Sequence, residues 1–167
     1  LEVQSNAPLR GGGVTACEGG VRVPARFRWP GRLPAGAVNR VMLSSLDIVP
    51  LAVAVAGGTL PDGRVFDGRD PLPALQGKAP SPHSALHWIW NQGRKEQWQG
   101  MREGDYKLLR ATDSGPWQLF DLSTDVGEQT DLAAGLPEKL KELAQHFDQW
   151  RAGIAADPSR SPSLRQR

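Results

Sequence analysis

Residues 97–122 read Gln-Trp-Gln-Gly-Met-Arg-Glu-Gly-Asp-Tyr-Lys-Leu-Leu-Arg-Ala-Thr-Asp-Ser-Gly-Pro-Trp-Gln-Leu-Phe-Asp-Leu. Three short aromatic-rich runs, Gln97–Arg102, Tyr106–Ala111 and Trp117–Leu122, are separated by Glu-Gly-Asp and Asp-Ser-Gly-Pro, which is turn chemistry. A fourth run, Ala85–Asn91, precedes them across Asn-Gln-Gly. Four short strands at this spacing predict an antiparallel meander. Beyond them, Pro137 suits the first turn of a helix. Leu136, Leu140, Leu143, Ala144, Phe147 and Trp150 recur at helical spacing, so the helix should lay this stripe on one face of the sheet. The fold class is α/β, locally α+β.

The preceding half reads differently. Residues 5–20 contain five glycines and no helical or strand period, a loop able to bring its backbone close to a ligand. It is not a P-loop, since Gly-Lys-Ser/Thr is absent. Val21–Trp29 alternates Val23, Ala25, Phe27 and Trp29 with Arg22, Arg26 and Arg28, the period of a half-buried strand. Asp47–Ala56 predicts a helix capped by Asp47, with Pro50 in its first turn. Being apolar all round, that helix should be buried. Asp62–Pro82 is turn-rich, with a short helix around Leu72–Leu75. The Pro-, Ser- and Arg-containing residues after Gly153 read as a frayed tail. There is no internal repeat.

Composition sets limits on function. Of 167 residues, 33 are Gly or Pro, 39% are hydrophobic and six are Trp, which suits one globular domain and disfavours wholesale disorder. The longest apolar run, Ile48–Ala56, has nine residues, well short of the roughly 20 a membrane-spanning helix needs. Residues 1–40 carry a net +4, residues 41–153 a net −4, and residues 154–167 a net +2. That distribution lacks the dense basic stripe of a nucleic-acid footprint, so no nucleic-acid partner is expected.

The candidate chemistry is sparse. Cys17 is the only cysteine and can form no internal disulfide. His83, His87 and His146 show no metal-ligand spacing, and no second cysteine exists for a zinc site. Asp121 and Asp125 lie near turns, where capping of backbone amides is the ordinary role.

Three stretches together resemble the C-terminal part of the sulfatase family, enzymes that hydrolyse sulfate esters. The first is Asn6-Ala-Pro-Leu-Arg-Gly-Gly, then Glu18-Gly-Gly-Val-Arg-Val-Pro24 and Trp29-Pro-Gly31. The second is Ser44-Ser-Leu-Asp-Ile-Val-Pro50 leading into Ala56-Gly57, with Phe66-Asp-Gly68 after it. The third is Gly104-Asp-Tyr-Lys-Leu-Leu109, Gly115-Pro-Trp-Gln-Leu-Phe-Asp-Leu122, Asp125-Val-Gly-Glu128 and Leu132. Their order and spacing, over residues 5–153, carry the resemblance.

The resemblance implies that residues 1–82 end a sulfatase or alkaline-phosphatase-like catalytic α/β domain. Residues 83–153 would form its C-terminal subdomain, a four-stranded antiparallel sheet with one packed helix, and 154–167 a flexible basic tail. It implies a sulfate-ester substrate, a divalent metal (usually calcium), and a formylglycine made within a Cys/Ser-x-Pro/Ala-x-Arg signature. Here Cys17 is followed by Glu-Gly-Gly instead. The family's later metal-binding Asp-Asn pair precedes the Asn-x-Pro-Leu-Arg segment, so the chain is expected to begin just after it, without the N-terminal catalytic region. The family's sulfate-contacting Lys aligns with Gly13.

No catalytic residue and no metal ligand is therefore assigned. Asn6, Arg10 and Gly13 are the expected substrate-binding residues, on a loop lining the sulfate pocket of the parent enzyme. The alternative is that Arg10 and Glu18 pair with each other or with neighbours and only hold the loop. Other departures are Arg26 at a large apolar strand position, Leu51 for a helix Thr, and Val126 for a Pro. By resemblance the location is periplasmic, secreted or lysosomal. Two functions stay open. One is a sulfuric ester hydrolase represented by its C-terminal part and inactive alone; the other is a non-catalytic module that binds a sulfated or other anionic partner.

Overall fold

In the computed structural model, which describes residues 5–90 and 97–156, the four runs join in one antiparallel sheet. Its strands are β1 (Ala85–Ile89), β2 (Gln99–Glu103), β3 (Tyr106–Arg110) and β4 (Gln118–Asp121), in the order β1-β2-β3-β4. The far end of the first run, at Asn91, and the Asn-Gln-Gly turn lie outside the described residues. Register is set at the centre: Met101 faces Leu108, which faces Leu119, while Lys107 stands opposite Arg102 and Phe120. Strand alternation then separates two faces. Met101, Leu108 and Leu119 lie on one, and Lys107, Leu109 and Phe120 on the other.

The first face is covered by α4 (Pro137–Ala156). Leu143 and Phe147 are fully buried beneath it, whereas Leu136, ahead of the helix, is exposed. Phe147 meets the edge of Trp117 at 5.0 Å, and Trp150 stacks on His87 at 4.3 Å with planes 9° apart. The helix continues past Gly153 to Ala156, so the chain stays ordered beyond the point where the tail was expected. Residues 157–167, including Arg160, Arg165 and Arg167, lie outside the described residues.

The second face is covered by the glycine-rich loop. Ala16 and Cys17 pack with Leu109, Phe120 and Leu122, flanked by Trp88 and Trp98. Turn carboxylates close the connections, as expected for Asp121 and Asp125, and Asp131 adds a third. Asp121 accepts from the amide of Ser123, Asp125 from those of Gln129 and Thr130, and Asp131 from those of Leu119 and Ala133.

The described residues gather into two compact units. One joins the residues up to Val23 with those from His87 onward; the other is Pro24–Leu86. The second unit holds α2 (Ile48–Val55) and the short α3 (Leu72–Leu75). The cap of α2 differs from expectation: a 3-10 turn, Ser45–Asp47, precedes it, and Ser44 forms a capping box with Asp47. The buried Asp47 carboxylate accepts from Ser44 N and Arg69 N and meets His83 Nε2 at 2.7 Å.

Two further expectations are corrected in this region. Glu18–Val21 is a single helical turn, α1, and residues 22–29 form no ladder. An isolated extended run has no neighbour to take its backbone hydrogen bonds, and Val23 and Arg26 are exposed. Nor is α2 buried. Ile48 is 62% exposed and Val49 and Val55 are also exposed, with Pro50 its one buried residue. An all-apolar helix needs cover on every side, and this unit supplies it on one.

Burial between sheet and helix holds the His87 imidazole down at about 4, against an ordinary 6.5, although the Glu103 carboxylate pulls the other way. The neutral ring is therefore the folded form, and protonation favours unfolding. This stabilisation is complete above about 6.5, falls as pH drops toward about 4, and is constant below. Asp113 and Asp121, held below 3.8 by hydrogen bonds from Arg151 and Ser123 respectively, lose theirs at more acidic pH. Denaturant titrations between pH 7 and 4 should show His87→Phe losing less stability over that window than the parent chain.

Candidate functional site

The loop ahead of α1 is shaped by backbone contacts that only glycine allows. A Cβ on Gly20 would fall 2.1 Å from Thr15 O, and one on Gly19 would fall 2.4 Å from Gly11 O. Gly19 N donates to Arg10 O at 2.8 Å, and Thr15 N donates to Gly12 O at 2.9 Å. Asn6 Nδ2 completes the knot by donating to Gly11 O and Gly19 O, at 3.2 and 3.0 Å.

A buried charge network fastens this knot to the sheet. Lys107 is wholly excluded from solvent, and its Nζ lies 2.8 Å from Glu18 Oε1 and 2.9 Å from Glu128 Oε1. Glu18 N donates to Glu128 Oε2 at 2.9 Å, tying the Glu128 carboxylate to the backbone at the start of α1. Lys107 Nζ also sits 5.7 Å from the centre of the Trp88 ring. At the ends, Arg22 reaches Glu18 at 3.4 Å and Arg10 reaches Glu128 at 3.6 Å. Arg10 also donates to Glu128 O at 3.0 Å and lies over Phe120. Three cations face two carboxylates, leaving the network at a net +1.

Asn6, Arg10 and Gly13 share one loop but face different ways. Asn6 is bonded into the loop and Arg10 is paired with Glu128 rather than Glu18. Gly13 has nothing within 4 Å of where its Cβ would be. Gly13, Thr15, Ala16, Gly20 and Val21 line one side of an open groove of about 380 Å3, and β1 with Trp90 lines the other. Trp90 is 47% exposed. The sequence signal for Lys107 was its place on the inward side of β3 beside Leu109. For Glu128 there was none beyond the family pattern, and for Trp90 none beyond its place in the aromatic run Ala85–Asn91.

A second polar cluster lies on the helix-covered face, where Glu103, Glu142 and His146 bring one ligand atom each within 4.8 Å of the others. His146 Nδ1 is 2.9 Å from Glu103 Oε2, and Lys139 already pairs with Glu142 at 2.9 Å. Calcium takes six to eight oxygen ligands, and one half-buried and one exposed carboxylate with an imidazole do not fit it. Nor does the buried Cys17, at the start of α1 and outside the required signature, suit conversion to formylglycine.

Residues 15–151 match the family described as N-sulphoglucosamine sulphohydrolase, C-terminal, and the chain belongs to that family. It is 37% identical over 148 residues to mouse arylsulfatase G, covering 78% of this chain and 28% of that protein. It is 47% identical over 172 residues to mouse steryl-sulfatase, covering 86% of this chain and 27% of that one. The crystal structure of Ps i-CgsB, also determined with k-i-k-neocarrahexaose, superposes with a TM-score of 0.79 at 30% identity, covering 87% of this chain and 32% of that one. The chain thus spans about a third or less of the relatives it matches and carries the sulfatase C-terminal fold.

Removing one partner from a buried ion network leaves uncompensated charge, at a cost of about 3–5 kcal/mol. Lys107→Met should destabilise the chain by that amount in urea unfolding. Adding Glu18→Gln and Glu128→Gln to it should restore most of the loss.

Proposed function

We propose that this chain is the C-terminal part of a sulfuric ester hydrolase and that its glycine-rich loop lines the sulfate pocket. Residues 1–82 would complete the catalytic α/β domain, and 83–153 would form the subdomain that clamps the loop. The family match over residues 15–151 carries this reading. The clamp supports it, because the buried network holds the loop still while leaving position 13 open to the groove. Asn6 and Arg10 then shape the loop, and its backbone with residue 13 meets the sulfate. Calcium and formylglycine belong to the parent's other segments, since no described residue here fits them, and no chemical step is assigned to this chain alone. A periplasmic, secreted or lysosomal location accompanies this reading. One observation favours a second reading, a non-catalytic module binding a sulfated or anionic partner: glycine stands where the family's sulfate-contacting Lys belongs.

The upstream coding frame separates the two. Under the hydrolase reading it encodes a Cys/Ser-x-Pro/Ala-x-Arg signature, and the longer protein turns over an aryl sulfate while the 167-residue chain does not. In that longer protein, Gly13→Lys should change turnover several-fold. Metal-dependent turnover by the 167 residues alone, or an unaltered rate in Gly13→Lys, would remove the corresponding part of the proposal.

A further inference from the structure

Three metal-ligating side chains converge where α4 meets the end of β2. Glu103 closes β2 two residues after Met101, on the face that α4 covers. Glu142 and His146 stand four residues apart in α4, so their side chains emerge one turn apart on one side of the helix. The three bring one ligand atom each within 4.8 Å of one another, and no other such group occurs among the described residues. Their backbones are firmly held. Leu143 and Phe147, which follow Glu142 and His146, are fully buried, and Glu103 pairs with Tyr106 across the hairpin. Donors carried by a packed helix and a paired strand are preorganised in the way a metal site requires.

The donor set selects the ion. One imidazole nitrogen and two carboxylate oxygens are ligands that zinc accepts, with water at the fourth corner of a tetrahedron. Calcium and magnesium favour all-oxygen shells, which His146 breaks. His146 is also the accessible imidazole of the three in the chain. His83 is buried against Asp47, with 8% of its side chain exposed, and His87 is stacked on Trp150, whereas 42% of the His146 side chain is exposed. Cys17, the one thiol, is buried. His146 Nδ1 already lies 2.9 Å from Glu103 Oε2, close to the spacing of neighbouring ligands around zinc, roughly 3.4 Å for bonds of about 2.1 Å. The competitor for the third ligand is Lys139, whose Nζ sits 2.9 Å from Glu142 Oε1 and 5.5 Å from the centre of the Tyr106 ring. We infer that Glu103, Glu142 and His146 bind one zinc ion, which displaces Lys139 from Glu142 and pins α4 to the end of β2. The site lies on the face of the sheet opposite the glycine-rich loop and does not depend on the sulfate-ester reading.

The test titrates the whole, untagged 167-residue chain with zinc chloride by calorimetry, while the imidazole signals are followed by NMR. One equivalent should bind and shift the His146 signals far more than those of His83. It should also raise the melting temperature, because the ion binds the folded arrangement and not the unfolded chain. His146→Ala, Glu142→Gln and Glu103→Gln should each weaken zinc binding by about tenfold or more, and calcium and magnesium should bind about a hundredfold more weakly than zinc. Unchanged circular dichroism certifies the fold of each variant. Lys139→Met keeps all three ligands and should tighten binding several-fold. Zinc binding undiminished in either glutamine variant reduces the site to a lone surface imidazole and overturns the inference. So does calcium bound as tightly as zinc, or a melting temperature that zinc raises equally in His146→Ala. Should a ligand variant fail to fold, Lys139→Met decides, and binding no tighter than in the parent chain overturns the inference.

Discussion

Lys107 sits in the middle of a sheet with no route to water, so its ammonium must be neutralised where it stands. Glu18 and Glu128 meet that demand at 2.8 and 2.9 Å, and they come from segments far apart in the chain. Satisfying one cation therefore places the glycine-rich loop, the third strand and the loop after the fourth strand at once. A slip of β3 by one residue would turn Lys107 toward α4 and break all three placements. Buried ion networks contribute little net stability once desolvation is counted. What this one supplies is a single arrangement of the loop over the sheet.

The consequence is a sheet covered on both faces by unlike material. A long helix lies on one side, where Leu143 and Phe147 exclude water by bulk. On the other lies an irregular loop whose close backbone approaches at Gly19 and Gly20 substitute for side-chain packing. Within the Pro24–Leu86 unit, Asp47 gathers backbone and His83 in a comparable way. A polar hub can set a local conformation there, but it cannot cover apolar surface. Leu46, Ile48, Val49 and Val65 remain exposed, which is why the period of α2 predicted a burial that this unit does not provide.

Legibility in the sequence followed the range of the interactions. The four strands and the final helix were readable because turn residues and apolar spacing act within a few positions. Each apolar stripe also finds its cover inside the same unit. Val21–Trp29 misled because alternation records a preference for a ladder, and a ladder needs a second strand. Asp47 does stand at the N-cap of α2, but its carboxylate makes no cap bond to that helix. It bonds back to Ser44 in the capping box of the 3-10 turn ahead of it, a turn absent from the sequence-based expectation. The Lys107 network was invisible as a network, since its members lie up to 118 residues apart in sequence. Arg10 was read as a group that faces an anion or holds the loop, and its bond to Glu128 O belongs to the second role.

These inward commitments decide what the loop can offer a ligand. Asn6, Glu18 and most of Arg10 are engaged with the protein itself, so the charged side chains define the loop's shape more than its surface. What faces the groove is backbone, an exposed indole and one position, 13, whose Cβ would meet empty space. A side chain added there would alter the chemistry of the groove without disturbing any contact that fixes the loop. Shape and surface are thereby separable on this scaffold: the buried network maintains the first, and position 13 is free to change the second.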